Sequence, residues 1–489
     1  DPENAPAHSI VGLHLLAVVR DVEAAIPHLA AGDEGPLRLC AEGELQRPSD
    51  PTTMRQLGDH WMAWATTQKG SLRQIGEVRA VHWYRHTVAT VPTLEGHKLD
   101  LMIKEIESGW TSVPSTSPII TTEAPTTEPL TSWKQLKRKR LKGKRAQAVR
   151  NAASWLVDHQ EEDGRWDPDD FMAHDPDESR VHAGAGEPQH EVGVTALAVL
   201  ALLEAVAQRP DPRTAEAIGK GVDWLLDEQD EDSGLFGRSV GNAMVYNHAI
   251  STMAVARAAR ANDELGANES LVSALRYCVR ARNPYGAWRY DVPPTGDDDT
   301  SVTGWMLAAI RECETLGIVN GRELKEAYEG ASNWIIEATD PETAIVGYNS
   351  TGSVSARIPG VNDSFPPDRN PVMTAIGLRW GLELGTVDRD VTRTQRDLLA
   401  KAQPEWGSDS DYRDFYYWYH GSEAMHRFGG SSTKQWRFWD KALEKCLLSG
   451  QRDDAPFDGT WDPDCVWGHA GGRVYSTAMG LLCLTQAAR

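Results

Sequence analysis

The sequence predicts an all-α protein whose main domain is an (α/α)6 toroid, a closed ring of six helical hairpins. Apolar residues at helical spacing run through most of the chain and alternate with loops rich in Gly, Trp and Asp. Six strongly apolar segments each carry a small hydroxyl residue, about every 50 residues, a period that fits one helical hairpin per repeat. These marker residues are Thr195, Ser251, Thr303, Thr374, Ser422 and Thr477.

The N-terminal region, residues 1–110, is predicted to be a separate helical domain. The segments "MRQLGDHWMAWATTQKG" (54–70) and "IGEVRAVHWYRHTVATV" (75–91) place apolar residues at i, i+3 and i+4. Positions such as Ala63, Ala80 and Trp83 resemble those of TPR- or Sel1-like helix pairs. Helix pairs of that kind usually bind partners, so the resemblance implies a protein-binding region.

A Thr/Ser/Pro-rich segment, residues 111–133, is predicted to be an extended linker because it cannot bury a core. The toroid then spans residues 134–489. Its first residues, 134–145, contain eight basic residues and no acid. We interpret them as the solvated start of a helix, with a nuclear signal or nucleic-acid arm as the alternative.

The composition limits the partners. A net charge of −21 disfavours nucleic acid and anionic membranes as partners. The sequence contains no run of 18 apolar residues, so no transmembrane helix is predicted. The linker composition favours a secreted, periplasmic or cell-surface location. The six cysteines form no CxxC pair, so buried thiols are predicted rather than disulfides or a zinc ribbon.

The loops between hairpins carry a recurring Gln/Gly/Trp pattern. "QEEDGRW" (160–166) is the fullest instance, "QDEDSGLFG" (229–237) has Phe in place of Trp, and "FDGTWDP" (457–463) keeps Gly-x-Trp. The pattern is similar to the QW motif of the terpenoid cyclase/protein prenyltransferase superfamily, in particular the squalene–hopene cyclase-like repeat proteins of bacteria. The resemblance implies the terpenoid cyclase-like toroid, a fold that serves several unrelated activities.

The stretch "GDDDT" (296–300) is the candidate catalytic motif. It resembles the Asp-x-Asp-Asp-Thr motif of proton-initiated cyclases, which implies that Asp298 is the proton donor and that Asp299 supports it. Gly296 stands where the family motif has its first Asp, so one carboxylate is missing. The alternative is that Asp298 and Asp299 cap the third inner helix without chemistry.

Polar groups near the predicted starts of the inner helices predict a central pocket for a hydrophilic ligand, because a carbocation cavity should be aromatic and apolar, and water or imidazole would quench the cation. The predicted pocket residues are Glu191, His248, Trp305, Tyr416, His420, Arg473 and Tyr475. The leading interpretation is therefore a non-cyclising binding or interaction module whose partner is a protein, a small molecule or a glycan. The alternative is an enzyme, either a terpene cyclase/isomerase using Asp298 or a carbohydrate-active hydrolase or lyase.

No cofactor is predicted. "DPDCVWGH" (462–469) lacks the Asp-x-Cys spacing of prenyltransferase zinc sites, so no metal site is expected there. Asp230 and Asp232 give a weak calcium alternative, since their loop lacks the ligand order of an EF-hand.

Overall fold

The computed structural model describes residues 4–106 and 138–488, apart from short gaps, and the described residues form helices linked by loops, without β-strands. The gaps are residues 17–21, 47, 49, 69–70, 89–95, 97, 100, 105, 176–183, 240, 263–264, 284–285, 293, 295, 319–320 and 408–412. The predicted linker, residues 111–133, lies outside the described residues.

The chain divides into two compact units, and the first comprises Asp1–Ile120 with the short segments Arg280–Ala287 and Asp291–Asp297. Its helices are α1 (Ala5–His14), α2 (Val22–Ala30), α3 (Pro36–Leu45), α4 (Pro51–Thr66) and α5 (Ser71–Val88). Each of them packs against the next along the chain. The helical N-terminal region is thus present, while its TPR/Sel1-like character stays a prediction.

The second unit contains the predicted toroid, which is confirmed. Its inner helices are α7 (Glu191–Gln208), α9 (Ala243–Ala261), α11 (Thr300–Thr315), α13 (Val372–Leu384), α15 (Phe415–Gly429) and α17 (Gly468–Thr485). Its outer helices are α6 (Gly143–Asp158), α8 (Pro212–Asp227), α10 (Asn268–Arg280), α12 (Gly321–Ala338), α14 (Arg389–Lys401) and α16 (Lys434–Gly450). Each inner helix contacts the next, and α17 returns to contact α7, so the inner ring is closed.

The inner helices are buried on most sides because each has neighbours on both flanks and an outer helix behind it. In α7, every residue from Val192 to Ala205 is buried. The segment Pro188–Gln208 is the only one among the described residues that is long and apolar enough to span a membrane, and 78% of its most apolar window is buried inside the protein. Burial in the ring accounts for that composition without a membrane.

A repeated clamp built from the Gln, Gly and Trp of the QW pattern joins successive outer helices. In the first repeat, the Trp166 indole donates to the carbonyl oxygen of Leu156 at the end of α6, with a distance of 2.7 Å. The Gln160 amide donates across to the carbonyl oxygen of Ala217 in α8, at 2.9 Å. Gly164 has φ of 105°, and a Cβ there would lie 2.3 Å from the carbonyl oxygen of Lys220. Only glycine fits this position.

The last clamp closes the ring of outer helices. The Gln451 amide donates to the carbonyl oxygens of Gly459, in its own loop, and of Ala148 in α6, both at 2.9 Å. The Trp461 indole donates to the carbonyl oxygen of Leu447 in α16 at 2.8 Å. The residue types that join the first outer helix to the second, glutamine and tryptophan, therefore also join the last outer helix to the first.

In three of the six repeats the marker hydroxyl anchors the loop that precedes its inner helix. Thr195, Thr303 and Thr374 each accept a hydrogen bond from a backbone N–H of the preceding loop. In the second repeat His248 takes over this role, because its Nδ1 accepts from the N–H of Phe236, at 3.1 Å. The period read from these residues thus reflects how each loop is anchored to its inner helix.

We expect Gln451→Ala to lower the free energy of unfolding of the toroid by about 1–3 kcal/mol, since two hydrogen bonds are lost and two carbonyl groups lose a partner. Chemical denaturation followed by tryptophan fluorescence measures the change. Gln435→Ala, at an exposed position of α16, is the matched control and should shift the value by less than about 0.5 kcal/mol. Equal effects of the two substitutions would contradict a role for the clamp in closing the ring.

Candidate functional site

Asp299 lies at the convergence of the inner helices, as the N-cap of α11. Its carboxylate accepts the backbone N–H of Val302 through Oδ1, at 2.8 Å, so an acidic cap begins this helix as the sequence indicated. The side chain is fully buried. Oδ2 is buried as well and lacks a well-formed hydrogen bond, although the Tyr348 hydroxyl beside the carboxyl group partly stabilises its charge. Burial raises the pKa of Asp299 to about 6, against the opposing effects of Tyr348, the Val302 N–H and Arg289.

Tyrosine hydroxyls surround this carboxyl group and link three inner helices. Tyr246 of α9 donates to Ser301 of α11 at 2.9 Å, and the Ser301 hydroxyl bonds to that of Tyr416 in α15 at 2.7 Å. The hydroxyl groups of Tyr290 and Tyr348, in the loops before α11 and α13, bond to one another. We call the residues Tyr246, Tyr290, Asp299, Ser301, Tyr348 and Tyr416 the rim cluster.

A second buried acid begins α15. Asp414 caps the helix by accepting the N–H of Tyr417 at 3.0 Å. Its pKa is also raised to about 6, chiefly by burial, while the Tyr417 N–H, Arg357 and Asn370 oppose the rise. Both acids influence the hydroxyl of Tyr416. Two carboxyl groups that exchange protons near pH 6 therefore border the same tyrosine.

Aromatic side chains fill the axis of the ring below the rim cluster. Trp305 of α11 stacks on Tyr419 of α15 with ring centroids 5.7 Å apart and meets the edge of His420 at 5.2 Å. These two helices are not neighbours in the ring, so the contact crosses its centre. Neither ring nitrogen of His420 has a hydrogen-bond partner, and burial, aided by Arg379, lowers its pKa to about 3. This imidazole is therefore neutral at physiological pH.

Ion pairs between inner helices occupy the other end of the axis. Arg257 of α9 pairs with Glu312 of α11 at 2.6 Å, and both side chains are largely buried. Arg379 of α13 and Glu423 of α15 lie 3.6 Å apart. Aromatic and charged side chains thus occupy the axis at two levels. The polar central pocket that the sequence predicts stays a prediction.

The predicted pocket residues fall into two groups. Trp305, Tyr416 and His420 meet at the axis. Tyr475 lies near Tyr416 and Asp414, and these two residues add to the effect of burial in raising the pKa of Tyr475.

The other three predicted pocket residues are engaged by their own repeats. His248 bonds to Phe236 and to the carbonyl oxygen of Ala274. Arg473 donates to Thr460 and Asp462 and stacks on Phe457. Glu191 lies 2.7 Å from Arg165.

The remaining candidates from the sequence are Asp298, the Asp230 loop and the cysteines. Asp298 is half-buried beside the cap. Asp230 accepts the N–H of Ser233 in a tight turn, and the described residues include no group of three or more side chains placed to bind a metal ion. The six cysteines are buried free thiols, as predicted.

Sequence reasoning missed Tyr246, Tyr290, Tyr348 and Asp414 as members of the site. Asp414 had a readable signal, because an acid directly before an inner helix is the pattern that singled out Asp299. Tyr290 and Tyr348 belong to loops, and no periodicity indicates which loop residues turn toward the rim.

Comparison with known families supports the resemblance seen in the sequence. The profile of the squalene-hopene cyclase C-terminal domain matches residues 130–237, the part of the chain that holds the first QW loop and the first two outer helices. This match confirms the terpenoid cyclase-like resemblance over about a fifth of the chain. Among curated proteins, none has a detectable sequence match to the chain.

Two solved structures align with most of this chain. The GH76A alpha-1,6-mannanase of Salegentibacter sp. HEL1_6 has a TM-score of 0.50 and 9% identity, over 70% of this chain and 98% of its own. A possible GH105 family member from Salmonella enterica serovar Paratyphi A has a TM-score of 0.44 and 15% identity, over 75% of this chain and 98% of its own. At such identities the likeness to the mannanase shows the fold alone.

We expect Asp299→Asn to change how stability depends on pH. The raised pKa means that the folded state favours the protonated acid, so this group's stabilising effect is complete below pH 4 and is lost as the pH rises through about 6. The variant cannot titrate at this position and does not lose this stabilisation. The difference in unfolding free energy between variant and wild type should therefore shift in favour of the variant by about 1–3 kcal/mol between pH 4 and pH 7. Urea unfolding at several pH values measures the difference.

The control for this experiment is Asp211→Asn, at the N-cap of α8. The Thr214 side chain and backbone lower the pKa of Asp211, so the wild-type acid stabilises the protein increasingly as the pH rises through its pKa. Because that pKa lies below the unfolded-state value of 3.8, nearly all of this stabilisation is gained below pH 4, and the variant should keep an almost constant offset from wild type between pH 4 and pH 7. Parallel pH profiles for wild type and Asp299→Asn would show that Asp299 titrates normally.

Proposed function

We propose that the toroid is a non-cyclising binding module that recognises a carbohydrate at the rim cluster. The observation that carries the proposal is the set of tyrosine hydroxyls held around the buried Asp299 carboxyl group. Tyr246 and Tyr290 are largely buried but keep some exposed surface at the rim, whereas Asp299 beneath them is inaccessible. A ligand would therefore meet tyrosine rings and hydroxyls, with the acid fixing their positions.

The chemistry of this surface suits a sugar. Aromatic rings offer flat apolar area with a polar edge, and tyrosine hydroxyls both donate and accept hydrogen bonds. The pKa values of Tyr246 and Tyr290 are raised, chiefly by burial, so both hydroxyls stay protonated donors. The side chain of Arg289 lies over the Tyr290 ring at 5.7 Å and adds a cation to the same surface.

The filled axis argues against a proton-initiated cyclase that uses Asp298. Such an enzyme encloses its substrate in a deep apolar cavity, whereas Trp305, Tyr419 and His420 occupy the axis of this ring. A rim that binds polar chains needs no deep cavity. The Thr/Ser/Pro-rich linker supports an extracytoplasmic location, where such glycans are found.

We expect wild-type protein to retain oligosaccharides on a glycan array that includes alpha-1,6-linked mannose chains. For the glycan retained best, Tyr290→Ala should weaken binding about tenfold or more in titration calorimetry, because a stacking ring and a hydroxyl are lost together. Tyr328→Phe is the matched control, since Tyr328 lies in α12 and bonds to Glu314 outside the rim cluster. An array without retained glycans, or equal affinities of wild type and Tyr290→Ala, would overturn the proposal.

A second candidate is a carbohydrate-active hydrolase at the same rim, favoured by the two buried acids with pKa values of about 6. A carboxyl group in that range can remain protonated near neutral pH and donate its proton to a leaving group. Because Asp299 is shielded in this structure, the Tyr290 and Tyr348 side chains would have to move aside for it to reach a substrate.

We expect a hydrolase to release reducing ends from the retained glycan, and Asp299→Asn to reduce the rate by at least about a hundredfold. The amide still caps α11, so binding affinity should persist in the variant. Mass spectrometry of the glycan after prolonged incubation detects cleavage. An intact glycan would contradict the hydrolase and would be consistent with the binding module.

A further inference from the structure

A strip of exposed basic side chains lies on the segment of the chain that leads into α6. Residues 134–157 contain no acid, although the chain as a whole has a net charge of −21. Four basic side chains within six residues of this segment are exposed to solvent. We call them the basic strip: Lys139, Arg140, Lys142 and Lys144. The toroid therefore carries a concentrated positive surface on an acidic body.

The backbone of the strip is fastened to the toroid. The N–H of Lys139 donates to the carbonyl oxygen of Ala488, just after α17, at 2.8 Å. The N–H of Leu141 donates to the side-chain oxygen of Gln208, the last residue of α7, at 2.8 Å. The strip thus lies at the C-terminal ends of two inner helices, opposite the rim cluster. Because it is held in place, a ligand would bind it without first having to order it.

The acids that this segment meets are already paired with two of its own arginines. Arg138 lies 2.9 Å from the buried Glu204 of α7, and Arg145 lies 2.8 Å from Asp440 of α16. Both arginine side chains are largely buried. The four side chains of the strip form no ion pair with any carboxylate in the part of the chain that the structure describes. Their charges remain available to an anion from outside.

The strip also opposes the usual charge preference at the start of a helix. Lys142 is the N-cap of α6 without a side-chain cap, and the first turn of α6 holds no acid. Lys144 lies within that turn. The positive end of a helix dipole favours carboxylates and disfavours lysines. This placement is unfavourable for folding and favourable for an anion bound alongside.

We propose that the basic strip binds a linear anionic polysaccharide, one that carries sulfate, phosphate or carboxylate groups along its chain. A narrow and flexible polymer can lie along the strip alone. An anionic membrane or a DNA duplex is wider and would also approach the acidic remainder of the surface, closer than the screening length of about 8 Å at physiological ionic strength.

Single-stranded nucleic acid is narrow as well, but the strip lacks the groups that favour it. Proteins that bind single strands without sequence preference stack the bases on aromatic side chains. Residues 138–150 contain no aromatic residue. Recognition at the strip is therefore electrostatic, and it is separate from the rim cluster and does not depend on what the rim cluster binds.

Fluorescence anisotropy with labelled dextran sulfate tests the proposal on the full chain. We expect wild type to bind this polymer in 50 mM NaCl, with affinity falling roughly twenty- to fiftyfold by 200 mM as three or four cations are neutralised. Uncharged dextran of the same length should not bind. The quadruple variant of the strip should bind dextran sulfate at least about tenfold more weakly. Its substitutions are Lys139→Gln, Arg140→Gln, Lys142→Gln and Lys144→Gln.

The matched control removes the same number and kinds of charge from exposed positions of α8, α12 and α14. Its substitutions are Lys220→Gln, Lys325→Gln, Arg393→Gln and Lys401→Gln. The net charge changes equally in both variants, so the control should stay within about twofold of wild type if the strip is the binding surface. Because the strip side chains are exposed and unpaired, the strip variant should also keep its fold, which circular dichroism checks.

The proposal fails if dextran sulfate does not bind wild type in 50 mM NaCl, or if the two quadruple variants bind it equally. Tighter binding of oligo-dT than of dextran sulfate would assign the strip to nucleic acid instead. Salt-sensitive self-association of wild type that is lost in the strip variant, without polymer binding, would assign it to a second copy of the chain and would equally overturn the proposal.

Discussion

Closure of the outer ring by the Gln/Gly/Trp clamp is the constraint on which the rest of this toroid depends. In the first and last clamps, the indole holds the end of its own outer helix and the glutamine amide reaches the next one, so each of these clamps sets the position of two hairpins. The glycine allows the loop to press against a neighbouring backbone that any side chain would push away. Because the last clamp returns to the first outer helix, the six hairpins form a ring with a defined centre.

That centre determines the chemistry at the rim. Two of the inner helices begin at a capping acid that lies in an environment with little water, and this burial raises the pKa values of Asp299 and Asp414 to about 6. The helix N-termini lessen the penalty, since each carboxylate accepts a backbone N–H. The same residues thus serve the fold as caps and provide groups that exchange protons near neutral pH, with tyrosine hydroxyls between them and the solvent.

The contacts across the axis explain why side chains occupy the centre of this ring. Aromatic rings from α11 and α15 stack at the centre, and arginine–glutamate pairs between neighbouring helices occupy the far end. Glu312 and Arg379 are largely buried, and pairing compensates much of the cost of removing their charges from water. The surfaces proposed for ligands lie at the two ends of the ring, at the rim cluster and at the basic strip.

The sequence by itself determined the all-α class, the six hairpins, the clamp loops and the acidic start of α11. These features follow from local rules: helical periodicity, glycine at positive φ, and capping by a side chain close to the backbone that it serves. It could not determine that His248 and Arg473 are engaged by their own loops while Trp305 and His420 meet at the axis. Nor could it show that Tyr290 and Tyr348 face Asp299. The contacts of Trp305 and Tyr348 join residues of different repeats, and only ring closure, which sets the rotation of each inner helix, brings those residues within contact distance.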